Sequence, residues 1–487
     1  MAHDASVPTS LPASGPLRPA GPRHGASGEA LQLAGRLEEA ADAYRATLAH
    51  TPDDARTLSN YGGLMTTLGH FEQAHALVSR ALTLDPALTD GWCNLGNALL
   101  QLQRYDEAIA AYRECLGRNP EHALAISNLG VALDQRGEHD MARKFHAAAA
   151  RLAPNNALIR TNLALSFLAA GDYLNGFREY EWRWNTYHSR TRAMDTPQWK
   201  GEAFAGRTLL IHTEGGFGDM IQFSRFIPLA AARGGRTIVR VRAPLLSLLR
   251  RSFPDQTFMT EEDPVPAHDL QCPVLSLPFA LGTTVETIPG AGGFLVADPE
   301  KVAFWHEKLA ADAPSGNGAK RPVRIGLVWA GAPHPEVRAV EQANRRRSTT
   351  LETFAPLGRV VSGSVFYSLQ VGPEGLQAQT PPPGMKLIDH TALLHDFSDT
   401  AAMVCALDLV VAVDTSTVHV AAGLGRPVWM LSRYDQCWRW ITGRTDSPWY
   451  DSLRIYRQDR PLDWSGPIRR IRAGLKVFAR ALRAGGA

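Results

Sequence analysis

The chain has 487 residues, 45% of them hydrophobic, and a formal net charge of +3. That apolar content can fill several cores at roughly 150 residues per domain, so a disordered chain is excluded. Interspersed, nearly balanced charge leaves no electrostatic footprint for nucleic acid, and no stretch reaches the ~20 apolar residues of a membrane span.

Residues 1–27 are rich in Pro, Ala, Ser and Gly and contain no apolar signal-peptide core. They read as a disordered lead-in, and the expected location is cytoplasmic. Five cysteines (Cys93, Cys115, Cys272, Cys405 and Cys437) are scattered and never spaced as CxxC. Reduced thiols and no metal site are expected.

From residue 28 the chain becomes periodic. Pro52, Pro86, Pro120 and Pro154 stand 34 residues apart, and Asn60, Asn94, Asn128 and Asn162 run in phase with them. A 34-residue period is that of a tetratricopeptide repeat, a two-helix unit that stacks into an α superhelix. The second repeat carries Trp92, Leu95, Gly96, Ala108, Tyr112 and Pro120 in the positions of that motif. Gly62, Gly96 and Gly130 are expected to let the paired helices approach closely. Gly35, Gly69, Gly137 and Gly171 mark the turn between helices, with Gln103 as the exception. The array is expected over residues 28–190, with an atypical first and last unit capping the stack.

The asparagine ladder has two readings. Amides on the inner face can hold an extended peptide by its backbone, or they tie neighbouring helices together. The array resembles that of the O-GlcNAc transferases, where such a ladder lines the acceptor groove. This implies acceptor binding at Asn60, Asn94, Asn128 and Asn162.

After Pro197, short apolar runs alternate with helical stretches. Thr208–His212 and Thr237–Val241 open a first lobe, expected over 200–313. Runs at 324–329, 364–369, 386–388, 409–413 and 427–431 build a second, expected over 319–462, with a C-terminal amphipathic helix over 463–487. The linker composition of Ala313-Pro314-Ser315-Gly316-Asn317-Gly318 separates them. Such alternation implies two Rossmann-like lobes of parallel sheet covered by helices.

Two strand-to-helix turns carry chemistry. Glu214-Gly215-Gly216-Phe217-Gly218-Asp219 lacks the third glycine of a dinucleotide fingerprint. Its Asp219 is either a helix cap or a residue aimed into the space between the lobes. Asp414-Thr415-Ser416-Thr417-Val418-His419 sets three hydroxyls at a helix start, an anion site suited to a diphosphate. His419 is either a nucleotide contact or a buried, satisfied histidine.

Together these turns resemble the heptosyltransferase-type glycosyltransferases, which have the glycosyltransferase-B fold. Gly326-Leu327-Val328-Trp329-Ala330-Gly331, Arg347-Ser348, Ser368-Leu369-Gln370 and the tail Trp438-Arg439-Trp440 … Asp446-Ser447-Pro448-Trp449-Tyr450 extend the match. With the repeats, nearly everything after residue 28 is similar to bacterial tetratricopeptide-repeat glycosyltransferases, a group that includes flagellin-modifying enzymes. The resemblance implies a metal-independent transferase with no cofactor beyond a nucleotide-sugar co-substrate. Asp219 would be the catalytic base. Gly216, Gly218, Trp329, Arg347, Gln370, Asp414, Thr415, Ser416, Thr417 and His419 would hold the donor. The expected partner is a protein acceptor, flagellin being the first candidate.

Two positions depart from the family: Val371 where Lys is usual, and Ala332 where Asn is usual. The missing lysine weakens the case for donor binding, and the Arg345–Arg347 run is the expected substitute. The alternatives are a repeat scaffold with a degenerate transferase domain and an envelope glycolipid transferase.

Overall fold

The computed structural model describes residues 24–186, 194–313, 321–333 and 338–485. Residues 1–23 of the expected lead-in and residues 314–318 of the expected linker lie outside the described residues. Two compact units are present. Among the described residues, one comprises 24–167 and 179–186, the other 168–178 and 194–485.

The first unit is a run of helices: α1 (His24–Leu33), α2 (Leu37–His50), α3 (Ala55–Leu68), α4 (Phe71–Leu84), α5 (Thr89–Gln101), α6 (Tyr105–Arg118), α7 (Ala123–Gln135), α8 (His139–Leu152) and most of α9 (Ala157–Ala169). Consecutive helices pair as hairpins. Each proline of the 34-residue series lies in the loop that opens the next hairpin. The small residues matter inside each pair. A Cβ on Gly96 of α5 would lie 2.5 Å from the Tyr112 ring on α6, and one on Gly62 would lie 2.3 Å from Val78. Close approach there brings Tyr112, Ala108, Leu129 and Ala132 into one buried cluster.

The turn inside the hairpins repeats too. Gly35, Gly69 and Gly137 have φ of 76°, 77° and 88°, and Gln103 takes the same left-handed conformation at φ 60°. A side chain there costs about 1–2 kcal/mol, so the one break in the glycine series is a strained turn.

The second unit begins in chain order with the end of α9 and α10 (Tyr173–Tyr180) through Arg178. A first lobe follows: β1 (Thr208–His212), α11 (Phe217–Phe223), α12 (Ile227–Ala231), β2 (Arg236–Val241), α13 (Leu246–Ser252), β3 (Thr257–Thr260), β4 (Leu270–Pro273) and α14 (Leu277–Ala280). Helix α15 (Pro299–Asp312) leads to the second lobe. That lobe contains β5 (Val323–Val328), α16 (Arg338–Arg347), β6 (Ser364–Ser368), β7 (Leu387–Asp389), α17 (Phe397–Cys405), β8 (Leu409–Val413), α18 (Ser416–Gly423), β9 (Val428–Ser432), β10 (Leu453–Arg457) and α19 (Ser465–Arg483).

The two sheets have strand orders β3-β2-β1-β4 and β10-β9-β8-β5-β6-β7. Every pairing in them is parallel. Parallel strands covered on both faces read as unbroken apolar runs, and Leu409–Val413 is buried at every position. Strands β3 and β4 are not expected from the sequence, because four residues each give no period to read. Among the described residues, no helix is long and apolar enough to cross a membrane.

Candidate functional site

In the larger sheet the strand order reverses between β5 and β8. Neighbouring strands there send their following loops to opposite sides, which opens a crevice at the carboxyl ends where ligands of doubly wound sheets bind. Strand β5 runs out into Trp329–Gly331 and β8 into Asp414–Thr417. Helix α18 starts at that edge with Thr415 as its N-cap, in extended conformation with φ −137°. Among the described residues the Thr415 hydroxyl makes no cap hydrogen bond and has no hydrogen-bond partner. First-turn N–H groups of a helix lack intrahelical acceptors and carry the positive end of its dipole. The start of α18 is therefore an anion-favouring position.

The glycine-rich turn of the first lobe faces it. Asp219 is the third residue of α11, and its Oδ2 accepts the Gly216 N–H at 2.7 Å. Its Oδ1 is ion-paired with the Arg439 guanidinium, both side chains being more than nine-tenths buried. Arg439 also lies over the Trp438 ring, 4.5 Å from its centroid. Gly218 is the point of closest approach. A Cβ there would sit 2.9 Å from the His419 ring on α18, so only glycine lets the two turns meet.

His419 is 5% exposed, stacks on Trp440 at 5.5 Å and shares a 2.9 Å hydrogen bond between Nδ1 and the Tyr450 hydroxyl. Burial pushes its ring well below the usual imidazole range, and Arg439, Arg225 and Arg347 nearby push the same way. The histidine is thus neutral, and burial raises the Tyr450 hydroxyl to about 12. Asp414 accepts the Trp440 indole N–H at 2.8 Å.

Arg225 is a residue that sequence reading missed. It is 3% exposed and donates to the carbonyls of Gln222, Trp449 and Pro289 at 2.8, 2.6 and 3.2 Å. The rings of Phe294 and Tyr450 stack on it at 4.3 and 4.6 Å. Arg439 stands out in the sequence only as part of the tryptophan-flanked tail. An arginine between two tryptophans is the one signal available for it.

The other expected site residues are placed as follows. Gln370 is held by backbone: its Oε1 accepts the Trp329 and Ala330 N–H groups at 3.0 and 2.8 Å, and its Nε2 donates to Val371 at 3.2 Å. Trp329 is fully buried in the sheet core, its indole N–H bonded to the Glu374 carbonyl at 3.1 Å. Of the arginine run, Arg345 pairs with Glu341 and Arg346 with Asp435. Only Arg347 reaches the crevice edge, its guanidinium lying 2.8 Å from where a Gly331 Cβ would be. Val371, the lysine position of the resemblance, is 55% exposed. Gly216, Gly218, Asp219, Arg347 and the 414–419 turn are brought together; Trp329 and Gln370 support the strand beneath them.

The structure places the asparagine ladder of the repeat unit between successive repeats. Asn94 and Asn128 are 2% and 1% exposed, so they present no open row of amides. The Asn94 amide donates to Ser59, carbonyl and hydroxyl, at 3.2 and 3.1 Å; Asn128 donates to Asn97 Oδ1 at 2.8 Å; Asn162 donates to Ser127 at 3.1 Å. Asn60, half-buried, bonds Glu29. Each rung ties its repeat to the one before. The donors are satisfied by the neighbouring helix, while the buried Oδ1 atoms of Asn94 and Asn128 have no hydrogen-bond partner among the described residues.

The tetratricopeptide repeat family models match residues 26–89 and 89–122. Protein FlbA of Caulobacter vibrioides is 26% identical over 340 residues, or 65% of this chain and 54% of that protein. The chain thus spans about half the length of this curated relative. Among solved structures, TTC0263, a thermophilic TPR protein of Thermus thermophilus, is 21% identical, covering 34% of this chain and 92% of its own, with a TM-score of 0.32. Pseudomonas aeruginosa PilF is 19% identical, over 36% and 76%, with a TM-score of 0.30. MamA of Desulfovibrio magneticus RS-1 is 19% identical, over 34% and 93%, with a TM-score of 0.27. The N-terminal helices are tetratricopeptide repeats, a protein-interaction module, and they precede a region of parallel-sheet α/β structure.

Proposed function

We propose that the chain is a glycosyltransferase of the glycosyltransferase-B type, moving a sugar from a nucleotide-sugar donor to a protein acceptor engaged through the repeats. The observation that carries this reading is the contact of the two turns at Gly218 and His419, beside the crevice where the larger sheet reverses order. A donor diphosphate at the start of α18 would gain from the helix dipole, from Ser416 and Thr417, and from Arg347 and Arg439.

Asp219 then has a conditional role. In the structure the Arg439 guanidinium occupies Asp219 Oδ1. A diphosphate that draws Arg439 away releases Asp219 Oδ1 to take the proton of the acceptor hydroxyl. The acceptor oxygen bonds the anomeric carbon as the bond to the nucleoside diphosphate breaks, and Arg439 stabilises the departing charge. Donor binding would precede acceptor activation.

Thermal melting of the full chain with UDP, GDP, CDP and ADP tests this. At a hundredfold excess over Kd, a bound nucleotide adds about 2.7 kcal/mol. One of the four is expected to raise the midpoint by several degrees, and Arg347→Ala to weaken that nucleotide about tenfold. No shift with any of them would remove the donor site. The engagement of Asp219 by Arg439 also favours a second reading, a repeat scaffold that holds a nucleotide without turnover.

A further inference from the structure

The CxxC test applied to the sequence finds no metal site, because the spacing is not local. Folding changes this. Cys93 on α5, Cys115 in the last turns of α6 and His122, the N-cap of α7, each place a ligand atom within 4.8 Å of the others. Both thiols are buried, at 1% and 0% exposure. Asp90, in the first turn of α5, sits on the outer side: its Oδ1 lies 3.3 Å from His122 Nε2. His122 is half-buried and Asp90 half-exposed, which leaves a path from solvent.

We propose that Cys93, Cys115 and His122, with Asp90 beside them, form a binding site for a thiophilic divalent cation of the zinc type. Two sulfurs and one imidazole are the donor set of tetrahedral zinc, with Zn–S near 2.3 Å and Zn–N near 2.0–2.1 Å. His122 Nδ1 accepts the Ala125 N–H, so ligation opens that bond: either Nδ1 turns to the ion while Asp90 holds Nε2 as the outer partner, or Nε2 takes the ion, Nδ1 carries the proton and Asp90 completes the four ligands. A thiol ligates only as its thiolate, so ion binding releases protons from the two cysteines and strengthens as pH rises. The site joins both helices of one repeat to the first residue of the next, so occupancy would stiffen the array where successive hairpins meet.

The test is cobalt and zinc titration of the reduced full-length chain, kept reduced by a phosphine. One equivalent of Co²⁺ is expected to give a thiolate-to-cobalt charge-transfer band and tetrahedral visible bands, which one equivalent of Zn²⁺ abolishes. Cys93→Ala with Cys115→Ala is expected to lose the charge-transfer band and at least a hundredfold in zinc affinity. His122→Asn, which keeps an acceptor for the Ala125 N–H at the helix start, is expected to lose about tenfold or more. Cobalt bound without a thiolate band, or zinc affinity unchanged in a folded double variant, would overturn the proposal. Should the double variant not fold, the wild-type spectrum alone decides it.

Discussion

Replacing Arg439 with Met is expected to destabilise the second unit by about 3–5 kcal/mol, because it removes the guanidinium that pairs with the buried Asp219 carboxylate. The pair is covered on both sides, at 5% and 8% side-chain exposure, so water cannot substitute for the lost guanidinium. The Gly216 N–H remains, but a backbone donor carries no full positive charge to replace the guanidinium. Urea unfolding followed by tryptophan fluorescence reads this directly, since the Trp438 ring lies against Arg439. The double variant Arg439→Met, Asp219→Leu is expected to recover most of the loss, as buried ion pairs replaced by apolar groups often do. Losses that simply add would mean that the two residues are not coupled. Under the proposed mechanism, Asp219→Ala alone would mix loss of the base with loss of the partner of Arg439, so its rate is to be read beside the folded fraction.

Asn97→Ala is the second large effect, expected at about 2–4 kcal/mol in the repeat unit. Asn97 Oδ1 accepts both the Tyr112 hydroxyl and the Asn128 amide, each at 2.8 Å. Removing it orphans two buried donors at once, and each unsatisfied group costs about 1–3 kcal/mol. Asn128→Ala removes only one of the two donors and is expected to cost about 1 kcal/mol. Circular dichroism at 222 nm against denaturant measures both. Equal losses from the two would contradict Asn97 as the shared acceptor. Loss of partner binding in Asn94 or Asn128 variants must accordingly be read against stability first, because these amides hold repeats together.

Most of the repeat unit was legible because its constraints are periodic. One proline, one close glycine and one left-handed turn recur every 34 residues, and even Gln103 adopts the glycine conformation its place demands. The ladder was legible as a position but not as a role: whether an inner-face amide meets a ligand or a neighbour depends on packing a few ångströms away. Asn97, off the ladder, has no period to announce it. In the sheets, strands with unbroken apolar runs such as β8 were visible, while the four-residue β3 and β4 were not. The candidate site was half legible. Local turn chemistry marked Gly218, Asp219 and the 414–419 segment, but the partner of Asp219 lies 220 residues away. No local rule reaches that far, nor does one assemble Cys93, Cys115 and His122.

Sugar transfer to a protein is the central claim, and intact mass is its most direct test. Proteins retained by the full-length chain, flagellin first, are to be weighed from cells that produce it and from cells that lack it. A mass increment of one or more hexose-like or nonulosonic residues, present only with the chain, is the expected result. Identical masses for every retained protein in the two backgrounds would contradict it and leave the repeats as a scaffold.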